Sequence, residues 1–165
     1  MSDVVPNFAL RPKKPTWTHL ALHVSDMEKT IDWFETYTHL RLLVRGEVDL
    51  AYNAWLGDPS EPESPFVLVL AQFLEGKDPF APQKHAVLAP FAHIGIEVPE
   101  REMIDEIAEK AREGGCLALG PKQMPKQVGY ICFLNDPDGN IIEFSFDQGV
   151  YHTAREKWGK PDTAQ

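Results

Sequence analysis

The sequence predicts an α+β fold: two tandem βαβββ modules forming a curved, mixed β-sheet cup with the helices outside. Three observations predict it. Thr18-His-Leu-Ala-Leu-His-Val24 reads almost like Ala92-His-Ile-Gly-Ile-Glu-Val98, an offset of 74 from His19 to His93. A helical pattern follows each of these segments, and three strand-like runs follow each helix. Either unit alone leaves one sheet face bare, so pairing the two buries surface that one could not.

The first strand alternates. Leu20, Leu22 and Val24 point one way, and Trp17, His19, Ala21 and His23 the other. The first helix opens at Ser25-Asp-Met-Glu28, a capping-box pattern, and Met27, Ile31 and Phe34 mark its buried face. Strands are expected near 41–48, 50–56 and 66–73. In the second unit, Ala92, Ile94, Ile96 and Val98 face one side, and His93, Gly95 and Glu97 the other. The second helix runs from about Glu100. Met103, Ile104, Ile107, Ala108 and Ala111 form its apolar stripe, Glu106 and Lys110 are spaced to pair, and Gly114-Gly115 stops it. Its strands fall near 115–119, 127–134 and 140–146. Similar turns, Leu56-Gly-Asp-Pro59 and Leu134-Asn-Asp-Pro137, precede the last strand of each unit. Residues 1–15 read as an N-terminal arm and 16–148 as the domain (module 1 about 16–75, linker 76–90, module 2 about 91–148). Residues 149–165 read as a C-terminal tail. Pro79, Pro82 and Pro90 punctuate the linker.

Composition narrows the function. The 165 residues carry a net charge of −9 with 43% apolar residues. This balance argues against a broad nucleic-acid surface and against docking on anionic lipid by charge. The one basic cluster, Arg11-Pro-Lys13-Lys14, reads as a solvated arm. No apolar run approaches the ~20 residues of a membrane span, and no secretory signal pattern is visible. Two cysteines, Cys116 and Cys132, make no disulfide framework and read as buried, inert thiols. A cytoplasmic, reduced protein is expected.

The helices take the aliphatic faces, so the other faces line the cup. That face carries a histidine at the same place in both modules. In the last strand Ile142, Phe144 and Phe146 belong to the helix side, and Ile141, Glu143 and Ser145 to the cup. A carboxylate on a mostly apolar face needs a partner. Two imidazoles and one carboxylate match the 2-His-1-carboxylate arrangement, which leaves metal positions open. Glu143 maps through the repeat onto Val69, so a symmetric four-ligand site lacks one member. Gln72 reaches the cup only if a bulge reverses its strand parity.

With these residues in place, the chain resembles the vicinal oxygen chelate superfamily, the glyoxalase, bleomycin resistance protein and extradiol dioxygenase family. Asp136-Pro-Asp-Gly-Asn-Ile-Ile-Glu143 is similar to that family's closing signature, whose glutamate is a metal ligand. The resemblance covers residues 16–148. It implies the glyoxalase/bleomycin resistance/dioxygenase fold, a homodimer, and a divalent ion, Fe(II), Mn(II), Zn(II) or Ni(II), on His19, His93 and Glu143. Glyoxalase I is similar but uses a fourth ligand where this chain has Val69. Extradiol dioxygenases share the His-His-Glu set but place a catalytic tyrosine where this chain has Phe133. Their additional upstream histidine has no counterpart between Gln123 and Val128. Thiol transferases also use three ligands, but no anion-binding cluster of basic residues is evident here.

Family parity, taken from Phe133, turns Asn53, Trp55, Ile131 and Phe133 into the substrate pocket. His23 and Glu97, matched by the repeat, are the catalytic acid–base candidates. The resemblance implies a metal-dependent enzyme acting on a small organic substrate with vicinal oxygens, by lyase, isomerase or ring-cleaving dioxygenase chemistry. The alternative is a metal-free binding or sequestering protein of the bleomycin-resistance type. Tyr52 and Tyr130 are expected to pack on the helix side. His39 reads as a cap or surface residue. His85 and His152 lie in the linker and the tail, and Trp158 suggests an arm that docks on the domain or on a partner.

Overall fold

The computed structural model describes residues 15, 17–61, 66–81, 88, 91–125, 128–150, 153 and 158. His85, His152, Pro82, Pro90 and the basic cluster lie outside the described residues. In chain order the elements are β1 (His19–His23), α1 (Met27–Tyr37), β2 (Arg41–Val48), β3 (Ala51–Gly57), β4 (Val67–Phe73), β5 (Ile94–Glu97), α2 (Arg101–Glu113), β6 (Leu117–Gln123), β7 (Tyr130–Asn135) and β8 (Ile141–Phe146). They build two four-stranded mixed sheets of the same topology, β1-β4-β3-β2 and β5-β8-β7-β6. In each, the opening strand runs parallel to the last, and the other pairs are antiparallel.

The repeat is visible in the register. Val69 pairs with Ala21 and Trp55 in the first sheet, and Glu143 pairs with Gly95 and Phe133 in the second. Val69 and Glu143 therefore hold the same place in their modules, as do Trp55 and Phe133. One apolar core joins both halves: Leu22, Val24 and Phe34 from the first module and Val98, Ile104 and Phe144 from the second. Burying a side chain of this size contributes roughly 1.5–3 kcal/mol, which favours the helix-side parity read from the strands.

The cap of α1 departs from the expected box. Asp26, not Ser25, is the N-cap: its backbone is extended and its carboxylate accepts from Lys29 N. Ser25 N donates instead to Asp138 of the other module. A second donor of the first turn, Met27 N, is satisfied at 2.7 Å by Gln72 Oε1. Gln72 thus keeps ordinary strand parity and serves the helix side; no bulge turns it into the cup. Lys110, spaced to pair with Glu106, donates to Thr36 O of α1 at 2.6 Å, because the modules meet along this side.

β6 runs four residues beyond the expected 119, with register shifts around Leu119 that carry it past Gly120. The run expected from 127 begins at Tyr130, because Val128 and Gly129 close a turn on Pro125 O. Gly129 has φ +81, and a Cβ there would collide with Phe146 O, so the turn can lie against the end of β8 only as glycine. Among the described residues no helix is long and apolar enough to cross a membrane.

Candidate metal centre

Glu143 stands on β8, between β5 and β7. Its β5 neighbour is Gly95, so no side chain from that position covers the carboxylate. Its β7 neighbour is Phe133, whose ring stacks on His93 with centroids 5.7 Å apart. Glu143 is only 3% exposed. Burial raises its pKa above the ordinary carboxylate range, against the opposing pull of His93 and the hydrogen bond from Gln148.

His93 is held from behind. Its Nδ1 lies 2.7 Å from Phe91 O, a carbonyl that can only accept, so Nδ1 carries the proton. Nε2 is then free to offer a lone pair, and it stands 3.5 Å from Glu143 Oε2. That is long for a hydrogen bond. It matches two donors on one ion: ligands at roughly 2.1 Å lie about 3.0–3.4 Å apart at octahedral or tetrahedral angles. A buried carboxylate, an imidazole with its lone pair turned toward it, and a spacing of this kind fit a divalent cation.

The other carboxylate oxygen, Oε1, accepts from Gln148 Nε2 at 3.0 Å. Gln148 N donates to Glu97 Oε1, also at 3.0 Å. Asp147, with φ +57, turns the chain at the end of β8 so that one residue meets both carboxylates. Ser145, which pairs with Glu97 in the register, is buried, and its hydroxyl has no hydrogen-bond partner among the described residues.

His19 lies on the edge strand β1 and is exposed, with Nδ1 3.0 Å from Thr18 Oγ1. Among the described residues no group of three or more His, Cys, Asp or Glu side chains is arranged to hold a metal ion. One chain therefore brings His93 and Glu143 together and leaves His19 apart. His23 sits edge-on to Phe73 with centroids 4.7 Å apart, and Glu97 takes the Gln148 N–H. In the pocket set, Ile131 is buried, Asn53 and Phe133 are half-buried, and Trp55 is 44% exposed.

The remaining side chains are less central. Tyr130 packs on the helix side, donating to Asp105 with Arg101 3.6 Å above its ring. Tyr52 is exposed rather than packed, although its cross-strand neighbour Gln72 reaches the start of α1. His39 is a surface residue near Asp58. Cys132 is buried, whereas Cys116 is only half-buried and less enclosed than its strand position suggested. Trp158 is 85% exposed, so it is not packed against the described residues of its own chain. Gln148 is the residue that strand parity missed. The only sequence signal for it is a polar amide directly after the last repeated strand.

Paired βαβββ modules with a histidine–carboxylate pair on one sheet define a two-module cup protein. Residues 16–144 match the Glyoxalase/Bleomycin resistance protein/Dioxygenase superfamily. The chain belongs to that superfamily. An uncharacterized protein of Pseudomonas aeruginosa is 34% identical over 81% of this chain and 90% of its own length. A lactoylglutathione lyase of Neisseria meningitidis is 28% identical over 82% of this chain and 97% of its own. A fosfomycin resistance protein of Listeria monocytogenes, solved with Mn(II) and a dihydroxypropylphosphonic acid, shares the fold. Its TM-score is 0.59 at 15% identity, over 82% of this chain and 94% of that one.

Proposed function

We propose that this chain is a metal-dependent enzyme of the glyoxalase type, a lyase or isomerase for a small substrate bearing two neighbouring oxygens. Its metal ligands would be His93 and Glu143 of one subunit and His19 of the partner subunit. The observation that carries this reading is the 3.5 Å approach of His93 Nε2 to a buried Glu143 carboxylate. His19 stands exposed on a sheet edge, open to a second copy. A two-fold dimer would complete two equal sites.

When bound, a divalent ion (Fe(II), Mn(II), Zn(II) or Ni(II)) on two neutral imidazoles and one carboxylate keeps net positive charge and stabilises a developing oxyanion. The protein's own groups do the rest. Phe91 O fixes the His93 tautomer that leaves Nε2 as a ligand. Glu97 accepts the Gln148 N–H at Oε1 and keeps Oε2 to take a proton from carbon next to a carbonyl, with His23 as the other proton-transfer candidate. Asn53, Trp55, Ile131 and Phe133 supply a mostly apolar wall. Phe133 has no proton to give. Together with the likeness to a lactoylglutathione lyase, this favours proton transfer over ring cleavage.

The test is metal analysis of the purified protein beside its H93A variant, followed by α-proton exchange on ketone and hemithioacetal substrates. One metal per chain, lost in H93A, with exchange in the metal-loaded protein, is the expected result. A second reading is the metal-free binding protein. It is favoured by two observations: a single chain assembles two of the three donors, and aromatic side chains such as Trp17, 87% exposed, stand open. Wild-type protein that takes up no metal yet binds an aromatic ligand would establish it.

A further inference from the structure

Gln148 touches both acids of the cup and belongs to no repeated strand. Its side-chain amide donates to Glu143 Oε1 and its backbone N–H to Glu97 Oε1, each at 3.0 Å. The bond to Glu143 falls on the oxygen turned away from His93, whose Nε2 faces Oε2. An amide donor there fixes the carboxylate's rotation and satisfies one oxygen, leaving the other directed at the imidazole. Two features hold Gln148 in place. Asp147 adopts φ +57, a region non-glycine residues rarely enter. Gly129 lets the β6–β7 turn close on Phe146 O, immediately upstream.

We infer that Gln148 is a positioning residue for the metal centre: it sets which oxygen of Glu143 faces the ion and ties that carboxylate to Glu97. The inference rests on the metal-dependent reading above. Donors to a ligating carboxylate typically govern metal affinity by roughly 10–100-fold. A glutamine that merely filled space would contribute through its volume, and methionine matches that volume without a donor.

The experiment is calorimetric titration of full-length, metal-stripped protein with Mn(II), Zn(II) or Ni(II) alone, for wild type, Q148A and Q148M, with thermal melts of each metal-free protein. Both variants are expected to melt within a few degrees of wild type and to bind the tightest of these metals at least tenfold more weakly. Wild-type affinity in Q148M, whatever Q148A does, assigns Gln148 a packing role and overturns the inference. Should a variant lose its folded melt, Gln148 is a structural residue and the inference is likewise overturned. Wild type that binds none of the metals overturns the metal-dependent reading and this inference with it. Tight wild-type binding with unchanged variants overturns the inference alone.

Discussion

The Asp138 carboxylate receives the backbone N–H of Ser25 through both oxygens, at 3.1 and 3.2 Å, across 113 residues of chain. Asp138 lies in the turn that leads to β8 and Glu143, and Ser25 closes the strand that carries His19 and His23. The bond therefore ties the end of β1 in the first module to the turn before β8 in the second. A charged acceptor on a backbone donor contributes roughly 1–2 kcal/mol in a partly solvated place. D138A should lower urea-unfolding stability by about that amount, and D138N, which keeps one acceptor, by less. A D138A protein as stable as wild type would show that the contact is incidental.

Glu143 gives a prediction of opposite sign. Its carboxylate is buried with one hydrogen bond, from Gln148, and His93 is too far for a good one. Without a cation the charge costs more than its partners return. In chelator, E143Q should therefore melt no lower than wild type, while its metal uptake falls by an order of magnitude or more. Differential scanning fluorimetry with and without metal reads both quantities. A metal-free E143Q that melts well below wild type would mean that the Gln148 bond outweighs burial.

Most of this architecture could be read before any coordinates. The 74-residue offset placed Val69 and Glu143 at equivalent sites, and the register repeats it with Ala21–Val69 and Gly95–Glu143. Strand parity works because one face must meet a helix. It fails where contacts come from turns. The choice of Asp26 over Ser25 as cap depends on where Asp138 arrives from the other module. Gln72 satisfies a donor at the start of α1 that no pattern within β4 announces. Gln148 owes its place to a positive φ at Asp147, which aspartate tolerates better than most residues but which no strand pattern announces. That one chain unites only two of the donors was equally hidden, since parity gives a face and not a distance.

Asp136 supplies the pH dependence. It is buried at the start of the turn before β8, and it accepts from Asp138 N, Asn140 N and Asn140 Nδ2. Desolvation outweighs these bonds and raises its pKa above 3.8. With the folded value raised, this group's contribution is fully present below the unfolded pKa and is lost as pH rises through the folded one. D136N does not titrate, and it sets an amide against Asn140 Nδ2, costing roughly 1–3 kcal/mol. The stability gap between wild type and D136N should widen as pH falls from neutrality toward 4. Urea melts of both proteins at a series of pH values measure it, and a gap that narrows on acidification would refute the assignment.

The two thiols should separate cleanly by reactivity. Cys132 lies in the core with no exposed surface. Burial pushes its thiol up to about 12, and the charges of Asp105 and Glu143 add to the effect. At pH 8 roughly one molecule in ten thousand would carry the thiolate, which is the reactive form. Cys116 is only half-buried, at the start of the chain leading into β6. A thiol reagent should therefore modify one cysteine per folded chain and both after denaturation. C116S should abolish labelling of the folded protein and leave one site in denaturant. Labelling of folded C116S at a rate near that of an exposed thiol would mean that β7 opens readily, against the packing that holds Glu143 beside Phe133.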